Sequence, residues 1–548
     1  MVPILEPAFR ALPGYPSAVL TKPSAPMHGP NAPCKKVHGA LLVGLAAVAF
    51  LTSSCRASPA GAPSAEGPKT DASPADASPG KSFSVLEHHN GPFRQGVYID
   101  PAFTREAAAR IQLELTVPTE GVVNAQPLFV DGGGSGPDTV YVATEHNIVF
   151  AINATSGEQI WRRELDPPVP RQILSDYFGG YPCIRWDPIG ITGTPVIDEG
   201  NRRIYLALVT PDTKRVTRNL VYALSLENGE PLPGWPVDIG SILGDFIDPL
   251  QAQRSALILL HDRLYVPYGS FTDCGWYRGK VIGVPVESPD DLEEWATEGI
   301  GAGIWGNSGI ASDGTSLFVA TANGGSQSQW DGAEAIIRLG EGPVFSGSPA
   351  DYFAPEDWHT LDDEDLDLGA SGVVLFDLPG TGLQLALAIG KNSKIYVVDR
   401  SNLGGIGGEL VAQAVSNIGT ITTPSVYTTP EGTFVTLFSD GLGLDCLQPL
   451  QGVRIEPTSP PTLTKVWCAD APGPGGTMVT TTDGQSESIV WIAGAEFGSQ
   501  LLGVNGNTGE TIALADGLAR VIRYTVPIAA KGRIYVAGTD WLYVFAIK

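Results

Sequence analysis

From residue 109 to Lys548 the chain repeats one pattern. A short apolar strand follows Pro or Gly, a turn leads to a second strand of the "IYLA" type, and another turn leads to a third of the "VYAL" type. Eight copies open in succession at "AQPLFV", "GTPVID", "ALILLH", "SGIASD", "SGVVLF", "TPSVYT", "GTMVTT" and "VPIAAK". Their starts lie roughly 50 to 70 residues apart, the spacing of propeller blades. A single four-stranded sheet cannot bury both faces, whereas sheets stacked around an axis can. The expectation is an all-β, eight-bladed β-propeller with four-stranded antiparallel blades. A β-sandwich pair is the alternative, but nothing in a sandwich requires eight similar units. The eighth copy runs out after three strands. "RIQLELTV", residues 110–117, supplies the fourth, so the N- and C-terminal strands close the ring and remove its open edges.

Composition agrees with many short strands joined by turns, since the chain has 66 Gly and 45 Pro. Lys and Arg total 34 against 59 Asp and Glu, a net charge of −25. Such a chain repels phosphate backbones, which argues against nucleic-acid binding. There is no Walker-type phosphate loop and no Ser-centred "GxSxG" elbow among the units.

The N-terminus has the layout of a signal peptide. Lys35 and Lys36 precede an apolar run from Ala40 to Leu51, then small residues and Cys55. The run is too short to span a bilayer comfortably. "LTSSC" resembles a bacterial lipobox in which Cys55 is lipidated, although Leu51 sits one place too far upstream; ordinary secretion is the alternative. Residues 1–26 look unlike a targeting segment, so Met27 is the expected start. The division that follows is 1–55 signal, 56–82 an Ala/Ser/Pro-rich disordered tether, and 83–548 one propeller. The protein is then exported and held at the cell envelope, touching membrane only through its lipid, and expected as a monomer.

The mature part keeps Cys183, Cys274, Cys446 and Cys468. An even number in an exported protein favours disulfides, and four cysteines allow three pairings. Cys446 and Cys468 flank one hairpin and are the first expected pair, with Cys183–Cys274 following.

"AINATSGEQIW", residues 151–161, resembles the tryptophan-docking motif of quinoprotein propellers. Ala151, Gly157 and Trp161 match it, while Asn153 and Ser156 stand in for Asp and Thr. "ALSLENGEPLPGW" reaches Trp235 by a longer path, and "GVNGNTGETIA" lacks the Trp. Gly takes a left-handed turn, and Trp plates an apolar surface onto the next blade. A longer series of blocks, among them "HHNGPFRQGVYIDPAF", "YPCIRWDPIGITGTPVID" and "GIWGNSGIASDGTSLFVATANG", is similar to exported bacterial proteins of the pyrrolo-quinoline quinone (PQQ) repeat family. The resemblance implies a quinoprotein-like propeller and raises PQQ and calcium as cofactors.

A working quinoprotein needs an aromatic floor, a Ca²⁺ held by hard oxygens and a carboxylate base. The chain lacks the adjacent-cysteine pair of the methanol-dehydrogenase type. Arg185, Trp186, Arg254, Trp276, Trp305 and Asn307 are candidates for an axial funnel that would take a flat or anionic ligand; the alternative is a stapled, hydrogen-bonded plug. Asp363, Asp365 and Asp367 alternate in the densest acidic run and could ligate calcium, or form a solvated loop. His88 and His89 are neighbours that would face opposite ways on a strand, a poor ligand pair. The leading expectation is a non-catalytic scaffold, without cofactor, that presents loops to a protein, glycan or small ligand. The alternative is a PQQ- and calcium-dependent dehydrogenase of alcohols or sugars.

Overall fold

The computed structural model describes residues 82–548 apart from Ser135, Pro182, Arg185, Ser326, Gln327 and Leu442. The expected signal, Cys55 and all but the last residue of the tether lie outside the described residues. Eight sheets follow one another along the chain as antiparallel meanders. Blade 1 is Leu128–Val130, Thr139–Ala143, Ile148–Asn153 and Gln159–Glu164. Blades 2 to 7 begin at Val196, Ile258, Ala311, Val373, Ser425 and Thr477. Blade 8 holds Ile528–Ala530, Arg533–Gly538 and Trp541–Ile547, and its fourth strand is Ile111–Pro118. That strand pairs antiparallel with the C-terminal one from Ile111↔Ile547 to Pro118↔Trp541, so the ring closes as expected. The fold is an eight-bladed β-propeller. First strands of neighbouring blades touch one another, which places them around the axis.

The meander fixes two faces. Links between blades, and the turns joining second to third strands, lie on one face, here the connection face. Turns after first and third strands lie on the other. Apolar side chains between adjacent sheets form the core, for example Ile204, Leu206 and Leu220 of blade 2 against Tyr141, Val149 and Trp161 of blade 1.

Docking works between blades in pairs. Asn153 accepts from the amides of Thr155 and Ser156 at 2.9 and 3.0 Å, filling the place of the docking motif's Asp. Gly157 follows at φ +74° in the left-handed region, and a Cβ there would lie 3.0 Å from Val117 of blade 8. Trp161 instead crosses to blade 2, where Nε1 donates to Leu226 O at 2.9 Å and the ring lies against Gly229. Trp467 of blade 6 does the same in blade 7. It donates to Gly506 O at 2.7 Å and covers Gly509, so the "GNTGE" turn receives a Trp from its neighbour. Trp235 is half-buried in the core shared by blades 2 and 3 and packs against Tyr205, ring centroids 5.6 Å apart.

The repeat does not announce the path of residues 85–100. This segment threads the axis and bonds to every blade. Val85 pairs with Phe129 of blade 1, and Leu86 O accepts from Ile197 N of blade 2 at 2.8 Å. Arg94 Nη2 donates to Leu257 O beside blade 3 at 3.0 Å, and its Nε to Ile310 O beside blade 4 at 2.9 Å. Phe93 O, Gln95 O and Gly96 O accept from Leu375, Val426 and Val479 of blades 5, 6 and 7. Val97–Ile99 adds a parallel inner strand to blade 7, and Asp100 accepts from Gly532 N of blade 8 at 2.7 Å. The inner edges of the sheets, which would otherwise face a channel with unpaired amides and carbonyls, are satisfied by this strap. Just upstream, Ser82–Ser84 bond to Asp131 and Glu199, in the first turns of blades 1 and 2, on the face opposite the connections.

Candidate axial site

On the connection face three of the candidate funnel residues come together. Arg254, in the link into blade 3, holds its guanidinium 5.1 Å from the Trp305 ring and 5.4 Å from Tyr524. Its Nε donates to Trp305 O at 3.0 Å. Asn307, in the link into blade 4, donates to Tyr524 O at 3.4 Å. Tyr524 belongs to the link into blade 8, so these contacts cross the axis. The neighbouring Arg523 locks that link through Asp440 (2.8 Å) and Glu496 (2.6 Å). Tyr524 and Arg523 escaped the sequence reading because a link residue carries no periodic signal.

Trp186 lies nearby, packed on the Cys183–Cys274 disulfide. The second disulfide is Cys446–Cys468, so both expected pairings form. Arg185 lies outside the described residues. Trp276 does not join them: it is 82% exposed in the turn between the second and third strands of blade 3, while its neighbour Tyr277 packs on Trp305 with centroids 6.0 Å apart. Below the cap, the strap presents His88 and His89, buried and stacked with centroids 4.9 Å apart. His89 adopts φ +56°, which breaks the strand geometry that would have sent the two rings to opposite sides. Burial pushes His89 down to about 4 and His88 well below its usual range.

The cavity beside the cap, lined by Cys183, Trp186, Thr192, Gln253 and Arg254 among others, measures about 30 Å³. That is room for one or two waters, against roughly 300–1,000 Å³ for a ligand site. The Trp305 face that could floor a quinone is covered by Arg254. These residues, as packed, do not fit a tricyclic quinone.

The calcium candidates are also placed. Lys391 bridges Asp365 and Asp367 at 2.5 Å each, supplying the positive charge that a cation would bring. Asp363 sits on the helix Trp358–Glu364. Around Asp367 the fold gathers Asp331, Glu334 and Asp362, which sequence reasoning missed because they come from separate loops. Burial raises all four carboxyls, Asp362 to about 7, and repulsion from neighbouring carboxylates adds to it: Asp367 and Asp362 on Glu334, Asp331, Asp363 and Asp367 on Asp362, Glu298 on Asp331 and Asp365 on Asp367. Among the described residues no three acidic, His or Cys side chains converge on one metal position. Glu145 stands apart, in the turn between the second and third strands of blade 1, where burial lifts it to about 7 against donation from Gly190 N at 2.8 Å.

Strands, ring closure and strap define a propeller of the quinoprotein-dehydrogenase type. Among solved structures the chain is similar to the quinohemoprotein alcohol dehydrogenase of Comamonas testosteroni, with TM-score 0.61 and 14% identity over 85% of this chain and 80% of that one. It is similar to the quinohemoprotein alcohol dehydrogenase ADHIIG of Pseudomonas putida HK5, with TM-score 0.62 and 13% identity over 85% and 80%. A europium-containing methanol dehydrogenase gives TM-score 0.58 and 14% identity over 85% and 98%. At such identities the likeness is one of fold. No family model matches the sequence, and no curated protein matches it.

Proposed function

We propose that this propeller is a non-catalytic binding protein, exported and held at the cell envelope through a lipid on Cys55. The observation that carries the reading is the filled axis. The strap bonds to all eight blades, and Arg254, Asn307 and Tyr524 bridge the mouth above it. In this fold a cofactor and substrate would need that axial volume. Binding then falls to the connection face. Tyr181, Ile247, Trp276, Ile418, Leu447 and Phe497, all exposed, project from links or turns on that face. Exposed apolar groups gathered on one side of a protein suit recognition of a partner. The partner is read as a protein or glycan met by a monomer.

The second reading, a PQQ- and calcium-dependent dehydrogenase of alcohols or sugars, is favoured by the kinship of fold. Titration of purified protein with PQQ and Ca²⁺, followed by absorbance and dye-linked turnover, separates the two. No saturable binding and no turnover are expected. Stoichiometric binding with turnover would overturn the proposal. Palmitate labelling that depends on Cys55 tests the anchor.

A further inference from the structure

On the connection face a groove of about 280 Å³ lies between the link into blade 3 and the second turn of that blade. Trp276 stands in its wall with 82% of its surface exposed, although burial of so large an aromatic would be strongly favourable. Around it the polar groups are held in place. Lys280, itself buried, donates to the carboxylate of Asp245 at 3.0 Å and also holds Glu294, leaving Asp245 largely exposed. Gln251 is buried, and with its amide turned to put nitrogen toward the two carbonyls it faces, it donates to Gly269 O at 3.0 Å and Arg278 O at 3.3 Å, which fixes the wall carrying Trp276 and Arg278. Arg278 lines the same groove and is exposed.

An apolar plate flanked by one fixed acceptor and one donor matches a ligand with an apolar face and polar edges. A pyranose ring is such a ligand: its C–H face stacks on an indole, a carboxylate accepts from vicinal hydroxyls, and a guanidinium donates to ring or hydroxyl oxygen. The volume suits one or two rings. Charge narrows the class. Asp245 faces the groove and the protein carries a net charge of −25, both adverse to polyanionic glycans. We infer that the groove formed by Trp276, Asp245 and Arg278 binds a neutral hexose unit of a glycan. This rests on the reading of the propeller as a binding module and assigns it a ligand class.

The test titrates the full-length protein with neutral trisaccharides of glucose, mannose and galactose, and with trigalacturonate, following tryptophan fluorescence and saturation-transfer NMR. At least one neutral trisaccharide should bind saturably below about 10 mM. Trp276→Ala should weaken it by about tenfold, and Asp245→Asn by several-fold. Trp276 is exposed, so its replacement leaves the fold intact, which circular dichroism checks. Absence of saturable binding by every neutral sugar, equal binding of trigalacturonate, or an unchanged Trp276→Ala variant would each overturn the assignment. The quinone titration is independent of it. A protein that turned over alcohol yet bound hexose here would lose the binding-module reading and keep this site.

Discussion

Arg94 and Glu87 form an ion pair inside the axis of the ring, with Nη1 2.8 Å from Oε2 and the arginine completely enclosed. The same guanidinium donates to the carbonyls of His88, Leu257 and Ile310, so one side chain ties the strap to the approaches of two blades. Arg94→Met strands a buried carboxylate and three carbonyls. It should cost about 3–5 kcal/mol in chemical denaturation, the usual result of removing one partner of a buried pair. Glu87→Gln keeps an acceptor and should cost less. Equal losses would mean that the charge, rather than the fork of hydrogen bonds, holds the strap.

Trp467 and Trp161 should each cost about 3–5 kcal/mol on replacement by Ala, because each fills a seam between blades. Trp276→Ala, in an exposed turn, should stay within about 0.5 kcal/mol. Urea midpoints of the three variants check the ranking. A Trp276 variant as damaged as Trp467→Ala would mean that this turn is packed in solution.

Asp362 supplies a pH signature. Its folded-state value, pushed to about 7 by burial, lies above the ordinary 3.8. The folded protein therefore holds more protons than the unfolded chain between those values, and stability falls as pH rises through that window. Asp362→Asn should be the more stable protein at pH 8, with the gain gone near pH 4. The lowered His89 acts with the opposite sign between 6.5 and about 4, but it is common to both proteins and cancels in their difference. Parallel pH profiles would remove Asp362 from the account.

The two disulfides should differ in weight. Cys183–Cys274 closes 91 residues and Cys446–Cys468 closes 22. On the loop-entropy model, replacing the first pair by Ser should cost about 1 kcal/mol more than replacing the second. Thermal unfolding of the two double variants reads the difference directly.

What the chain declares about itself follows from what repeats in it. Period, turn glycines and the missing fourth strand of the last unit are local patterns, and they foretell eight blades and ring closure between 111–118 and 541–547. Trp161 was legible because its motif surrounds it. Trp467 was less so, because "TSPPTLTKVW" carries no docking motif ahead of the Trp, and the turn it covers, at Gly509, stands in the next blade without a Trp of its own. The axial candidates Arg254, Trp305 and Asn307 were readable as residues in links, yet their meeting with Tyr524 depends on where three distant links end. Trp276 shows the converse: proximity in sequence to Cys274 suggested the axis, and the turn that carries it leaves its ring exposed while Tyr277 takes the place against Trp305. The strap left the least trace, since a single non-repeating segment has no copy with which to be compared.

The strap also bears on how the protein is made. Asp100 waits for Gly532, which lies 432 residues further along the chain. The earliest part of the domain to leave the ribosome therefore cannot complete its bonds until almost the last residue has been added. Long-range closure of this kind slows folding and withholds the finished ring until synthesis ends. Until then the strap stays without its last partner, and the ring stays open at the seam between its first and last strands.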